Sequence, residues 1–169
     1  MVWLGGSWFS FEVKQMHIYA VFVWIALISA YILFSLQGFV QKLHLLSIGL
    51  LLGSFHFLLQ QLMAMDPILI VGNPKWDTAL ILAVVATVIQ RKELEQIAGL
   101  SIACLLGDLY QSGMHSWTNL HSLGGSDFRD QWWLSVFAAR TLTIIMQTAY
   151  GGCKAVVQSW MDRRGGWKK

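Results

Sequence analysis

The sequence predicts an all-α polytopic bundle of about five transmembrane helices, the third of them short or kinked. Three observations carry this. Residues 18–36 (IYAVFVWIALISAYILFSL) hold no charge, and nineteen helical residues cover ~28 Å of a ~30 Å hydrocarbon layer. Four further apolar stretches follow at intervals of roughly one crossing, separated by polar or Pro/Gly-bearing links. The chain is also 56% hydrophobic and only 12% charged, against about 25% charged in water-soluble domains. Its 169 residues suit one membrane domain with no soluble domain beside it.

Each element follows from its boundaries. Residues 1–17 (MVWLGGSWFSFEVKQMH) are aromatic and Gly-interrupted. They lack the basic start and apolar core of a signal peptide, so they read as an interfacial segment. The first span is 18–36, and the link 37–42 leads to the second, 43–63. Pro67, Gly72 and Pro74 then break any continuous helix. The third span, 76–90, reaches only ~22 Å, so it thins the bilayer or recruits 68–71 as a kinked extension. Residues 91–93 lead into the fourth span, 94–114. The longest loop, 115–131, precedes the last span, 132–157, which is long enough to tilt. A basic tail, 158–169, ends the sequence.

Counting cations near the span ends sets the orientation. Lys42, Arg91, Lys92, Arg163, Arg164, Lys168 and Lys169 fall on one side, and Lys14, Lys75 and Arg129 on the other. The richer side belongs in the cytoplasm, which puts the N-terminus outside and the C-terminus inside. The net charge of +3 suits anionic lipid headgroups and not nucleic acid. Trp76, Trp117, Trp132 and Trp133 read as outer-interface anchors, and Trp160 and Trp167 as inner ones.

Polar residues inside the spans mark the candidate site. Asp108 and Arg140 each cost about 2.5–3.5 kcal/mol near the bilayer centre. Their expected depths, ~9–12 Å below the outer surface, would let them pair. His56 lies at similar depth. Helical spacing puts Gly49, Gly53, His56 and Gln60 on one face, and Arg140, Thr143, Gln147 and Gly151 on another. Cys104, Asp108, Gln111 and His115 form a third. The expected polar network is therefore His56, Asp108 and Arg140 with Gln60, Gln111 and Gln147, either fixing helix register or lining a pocket. Gly99, Ala103 and Gly107 make a small-residue ladder, and Gly49 with Gly53 another; both point to close helix packing.

No cofactor or metal is expected. His115, His121, Asp127 and Asp130 match no strong metal spacing. Cys104 and Cys153 should differ in depth by ~15 Å, too far for a bridge. Asp77 and Asp108 fail as an intramembrane aspartyl pair, because such chemistry needs two carboxylates at one depth and Asp77 opens its span. No GxSxG, HExxH or Walker loop occurs. The sequence points to a protein that is not an enzyme.

Asp66-Pro67 after the second span, Gly107-Asp108 within the fourth, and Ser126, Asp127, Phe128, Arg129, Asp130 before the last resemble the YphA family of small membrane proteins from Bacillus-like bacteria. The last run departs from the family pattern by one residue fewer between Ser and Phe. The resemblance covers the chain from about residue 6. It implies a bacterial cytoplasmic membrane, and a further hydrophobic segment upstream in similar proteins that would leave this topology unchanged. It implies no activity. The expected role is a membrane partner or scaffold within the lipid bilayer, alone or as a homo-oligomer. The alternative is small-ligand binding or transport through the polar pocket.

Overall fold

The computed structural model describes residues 10–13, 16–66, 72–115 and 122–165. Two short strands come first, β1 (Ser10–Val13) and β2 (Met16–Tyr19). Helices α1 (Ala20–Ser35), α2 (Phe39–Met65), α3 (Pro74–Ile89) and α4 (Glu93–His115) follow. Strand β3 (Ser122–Leu123) then precedes α5 (Ser126–Gly165).

Within the segment expected to lie at the interface, residues 1–17, β1 and β2 form an antiparallel hairpin with Phe11 opposite Ile18. β3 adds in parallel, His17 beside Ser122. The sequences SFEV and MHIY alternate polar with aromatic or apolar residues, a period of two that suits a strand. Ile18 and Tyr19 therefore belong to the sheet, and the first helix starts at Ala20. The turn after β3 needs Gly124, at φ +76°, where a Cβ would lie 2.7 Å from that of Phe22.

α3 starts where the sequence supplies a cap. Asn73 accepts a hydrogen bond from the Lys75 N–H at 3.1 Å, Pro74 occupies the first turn, and Asp77 sits near the positive helix end. Asn73→Ala should cost about 1 kcal/mol. Faster amide exchange in the first turn of α3 would register the loss, and unchanged exchange would refute it. The third helix has 16 residues, Pro74–Ile89, the same length as α1. Its suggested extension through 68–71 lies outside the described residues.

α5 departs most from expectation. It begins at Ser126 rather than 132, with Asp127 in its first turn, and continues to Gly165, so part of the expected tail is helical. Its 40 residues span ~60 Å. α4 is the central helix, packing against α1, α2, α3 and α5, while α3 lies along α5. The core joins Ile25, Leu52, Leu82, Leu100, Ala103 and Phe128, with the rings of Phe22 and Phe128 5.6 Å apart.

Polarity is inverted relative to a water-soluble bundle. His56, Gln90, Gln96, Ser101, Ser135 and Thr143 are buried. Trp24, Leu27, Phe34, Val40, Leu51, Leu58, Val88 and Phe137 are exposed. So many large apolar side chains exposed on one bundle are tolerable only against a non-aqueous solvent or a partner. α2 alone among the described helices is long and apolar enough to cross a membrane by itself, with mean hydropathy 1.6 in its most apolar stretch. α1 is apolar but shorter.

Candidate functional site

A cavity of about 350 Å³ opens among α2, α3, α4 and α5 at the sheet end of the bundle. One face of α2 contributes His56, Gln60 and Met63, and α4 contributes Cys104, Asp108 and Gln111. The starts of α3 and α5 add Lys75, Thr78, Asp127, Phe128 and Gln131.

Gln60 organises the floor. Its amide nitrogen lies 3.1 Å from His56 Nε2 and donates to Gln131 Oε1 at 3.2 Å. Both amide protons are thereby used. Its carbonyl oxygen is buried without a hydrogen-bond partner among the described residues. The imidazole of His56 fits because Gly107 faces it: a Cβ there would collide with Nδ1. Asp108 accepts a 2.8 Å hydrogen bond from the Gly124 N–H, tying α4 to the turn after β3. At the mouth, Lys75 Nζ meets Asp127 Oδ1 at 2.6 Å. That hydrogen bond holds the Lys75 ammonium above its usual pKa range.

His56, Gln60, Asp108 and Gln111 of the expected network thus line one cavity. Arg140 and Gln147 do not. Arg140 Nη2 instead meets Glu93 Oε1 at 2.7 Å, so the expected Asp108–Arg140 pair is corrected. The reason is register: α5 starts six residues earlier than the apolar run suggested, which places Arg140 ~9 Å farther along the helix. Gln147 lies in a second hollow beyond it.

The small residues do pack helices. A Cβ on Gly49 would lie 2.6 Å from Ile102 Cγ2, and one on Gly53 2.9 Å from Leu106 Cβ. Ala103 is fully buried, and Gly99 abuts the side chain of Gln90. Trp76, Trp133 and Trp160 are about half exposed. Trp132 is not an anchor: it packs on the core and donates from Nε1 to Ser101 Oγ at 2.9 Å. Trp117, Trp167 and His121 lie outside the described residues, as does the side chain of His115. Cys104 is buried and Cys153 exposed, both free. Asp77 accepts from the Gly72 N–H and does not line the cavity. No group of three metal-ligating side chains occurs among the described residues.

Sequence reasoning missed Gln131, Thr78 and the Lys75–Asp127 pair. Asp127 and Gln131, in what read as loop, lead at four-residue spacing to Ser135 in the last span, a helical signal that crosses the expected boundary. It also missed a buried polar seam. There Gln96 donates to Thr87 and Thr143, each at 3.1 Å, and Cys104 Sγ lies 3.8 Å from Ser135 Oγ.

A family model described as YphA-like integral membrane protein matches residues 1–165. The chain belongs to this family. Among curated proteins and solved structures nothing matches. Membership in the YphA-like integral membrane family makes lipid the solvent of the exposed apolar residues, which accounts for the inverted polarity of the bundle. The cavity is then a polar hollow in a protein whose exposed apolar residues face lipid.

Proposed function

We propose that this YphA-like protein crosses a bacterial cytoplasmic membrane five times, N-terminus outside, and holds a small polar solute in the cavity at its outer end without transforming it. The orientation is supported by the distribution of cations. Lys42, Arg91 and Lys92 lie at helix ends opposite the end that carries Lys75 and Arg129. The observation that carries the binding reading is the unpaired, buried carbonyl oxygen of Gln60 beside a polar cavity. Leaving such a group unmade costs about 1–3 kcal/mol, which a hydrogen-bond-donating solute offsets. Two carboxylates, Asp108 and Asp127, face one cation, Lys75. The preferred solute is therefore cationic or rich in donors.

Accessibility tests this directly. In a protein with Cys104 and Cys153 replaced by serine, Gln111→Cys should react in whole cells with a small charged methanethiosulfonate added outside. Gln147→Cys should react only once the membrane is opened. A Gln111→Cys protein that stays unlabelled in cells but reacts after permeabilisation would refute the outward-facing cavity.

A partner or scaffold role is the second reading, favoured by α5. Beyond Thr143 every residue to Lys154 is exposed, Ile144, Ile145, Met146 and Tyr150 among them. A second copy or another membrane protein fits that unpaired length of helix.

A further inference from the structure

At the end of the bundle opposite the sheet, α3 stops at Ile89 and α4 starts at Glu93, while α5 runs on. The notch so formed is a hollow of about 460 Å³ lined by Thr87, Arg91, Thr143, Met146, Gln147 and Tyr150. Two of these side chains are already committed. The Thr87 hydroxyl donates to the Ala83 carbonyl and that of Thr143 to the Ala139 carbonyl, each at 2.8 Å, and both receive Gln96. Arg91, Gln147 and Tyr150 remain to meet a ligand.

Charge bookkeeping singles out Arg91. Of the nearby acids, Glu93 is paired with Arg140 at 2.7 Å and Glu95 with Lys92 at 2.9 Å. No carboxylate among the described residues pairs with Arg91. An uncompensated guanidinium beside an amide and a phenol suits an oxyanion, phosphate above all, through its planar fork of donors. The neighbouring surface is apolar: Val88, Ile89, Ile144, Ile145 and Met146 are exposed on the turns that frame the notch. A ligand with both a phosphate and hydrocarbon chains matches both surfaces.

We propose that this notch binds an anionic phospholipid, its phosphate on Arg91 with Gln147 and Tyr150, its chains along the exposed residues of α3 and α5. Assignment to the cytoplasmic leaflet rests on the orientation proposed above. The site itself does not, and binding in detergent is independent of topology.

The test uses the full chain purified in a neutral detergent. Phosphatidylglycerol, phosphatidylcholine, glycerol 3-phosphate and inorganic phosphate are added in turn, with native mass spectrometry and thermal shift as readouts. Phosphatidylglycerol should bind and raise the melting temperature, and phosphatidylcholine should do so far less. Arg91→Gln should weaken phosphatidylglycerol about tenfold, as losing one charge-assisted contact implies. Arg91→Lys should retain part of the binding, and Lys42→Gln, a cation at the same end, should retain all of it. Equal losses in Arg91→Gln and Lys42→Gln would mean diffuse surface charge and overturn the site. Inorganic phosphate or glycerol 3-phosphate acting as strongly as the lipid would overturn the lipid assignment, and no preference for phosphatidylglycerol would overturn both.

Discussion

Gly53→Leu should unseat α2 from α4 and destabilise the protein by about 3 kcal/mol, the upper end of what overpacking costs. The added Cβ alone would stand 2.9 Å from Leu106 Cβ and 3.4 Å from the Ala103 carbonyl oxygen. Neither is the free end of a flexible side chain, so relief requires helix displacement. These two helices share the most extensive packing in the bundle, and close approach through small residues is what holds membrane helices together. Gly152→Ala, with nothing within 4 Å of its new Cβ, is the matched control. Thermal unfolding in detergent should show a fall of several degrees for Gly53→Leu and none for Gly152→Ala. Equal melting temperatures would mean that α2 and α4 do not pack as described.

Asp108→Ala should come next in size, at about 2 kcal/mol. Gly124 is buried, and its N–H donates to the Asp108 carboxylate. Removing the acceptor strands that donor, whose desolvation costs about 1–3 kcal/mol. Asp108→Asn keeps an acceptor oxygen in place and should be nearly neutral in stability. The pair of variants therefore separates two duties of one residue. If Asp108 only ties α4 to the turn after β3, Asn serves as well as Asp in every assay. If its charge also serves the solute, the Asn protein folds normally but loses the solute-dependent signal. An Asp108→Ala protein as stable as its parent would show that the tie to Gly124 is not made.

The existence of five helices was legible because a chain facing hydrocarbon advertises its helices as long apolar runs. Their ends were less legible, since residues near the interface need not be apolar. Ser126–Gln131 reads as polar loop yet forms the first turns of α5, and that shift carried Arg140 away from Asp108 to Glu93. The three strands were hidden for a different reason. β1 and β2 are four residues each, too short for their alternation to stand out, and β3, two residues long, pairs with β2 from more than a hundred residues away, which no local pattern records. For the site, His56, Gln60, Asp108 and Gln111 stood out as polar residues amid apolar ones. Gln131, Asp127 and Lys75 sit in polar surroundings at element ends, where nothing distinguishes them by composition.

The polar seam along α4 has a consequence for how the protein reaches its membrane. Gln96, Ser101, Cys104 and Asp108 meet Thr143, Trp132, Ser135 and Gly124, all of them translated after α4 itself. A nascent α4 released singly into lipid would carry these groups unsatisfied. In the five-span arrangement proposed above, α4 is therefore expected to leave the insertion machinery together with the last helix, and not before it.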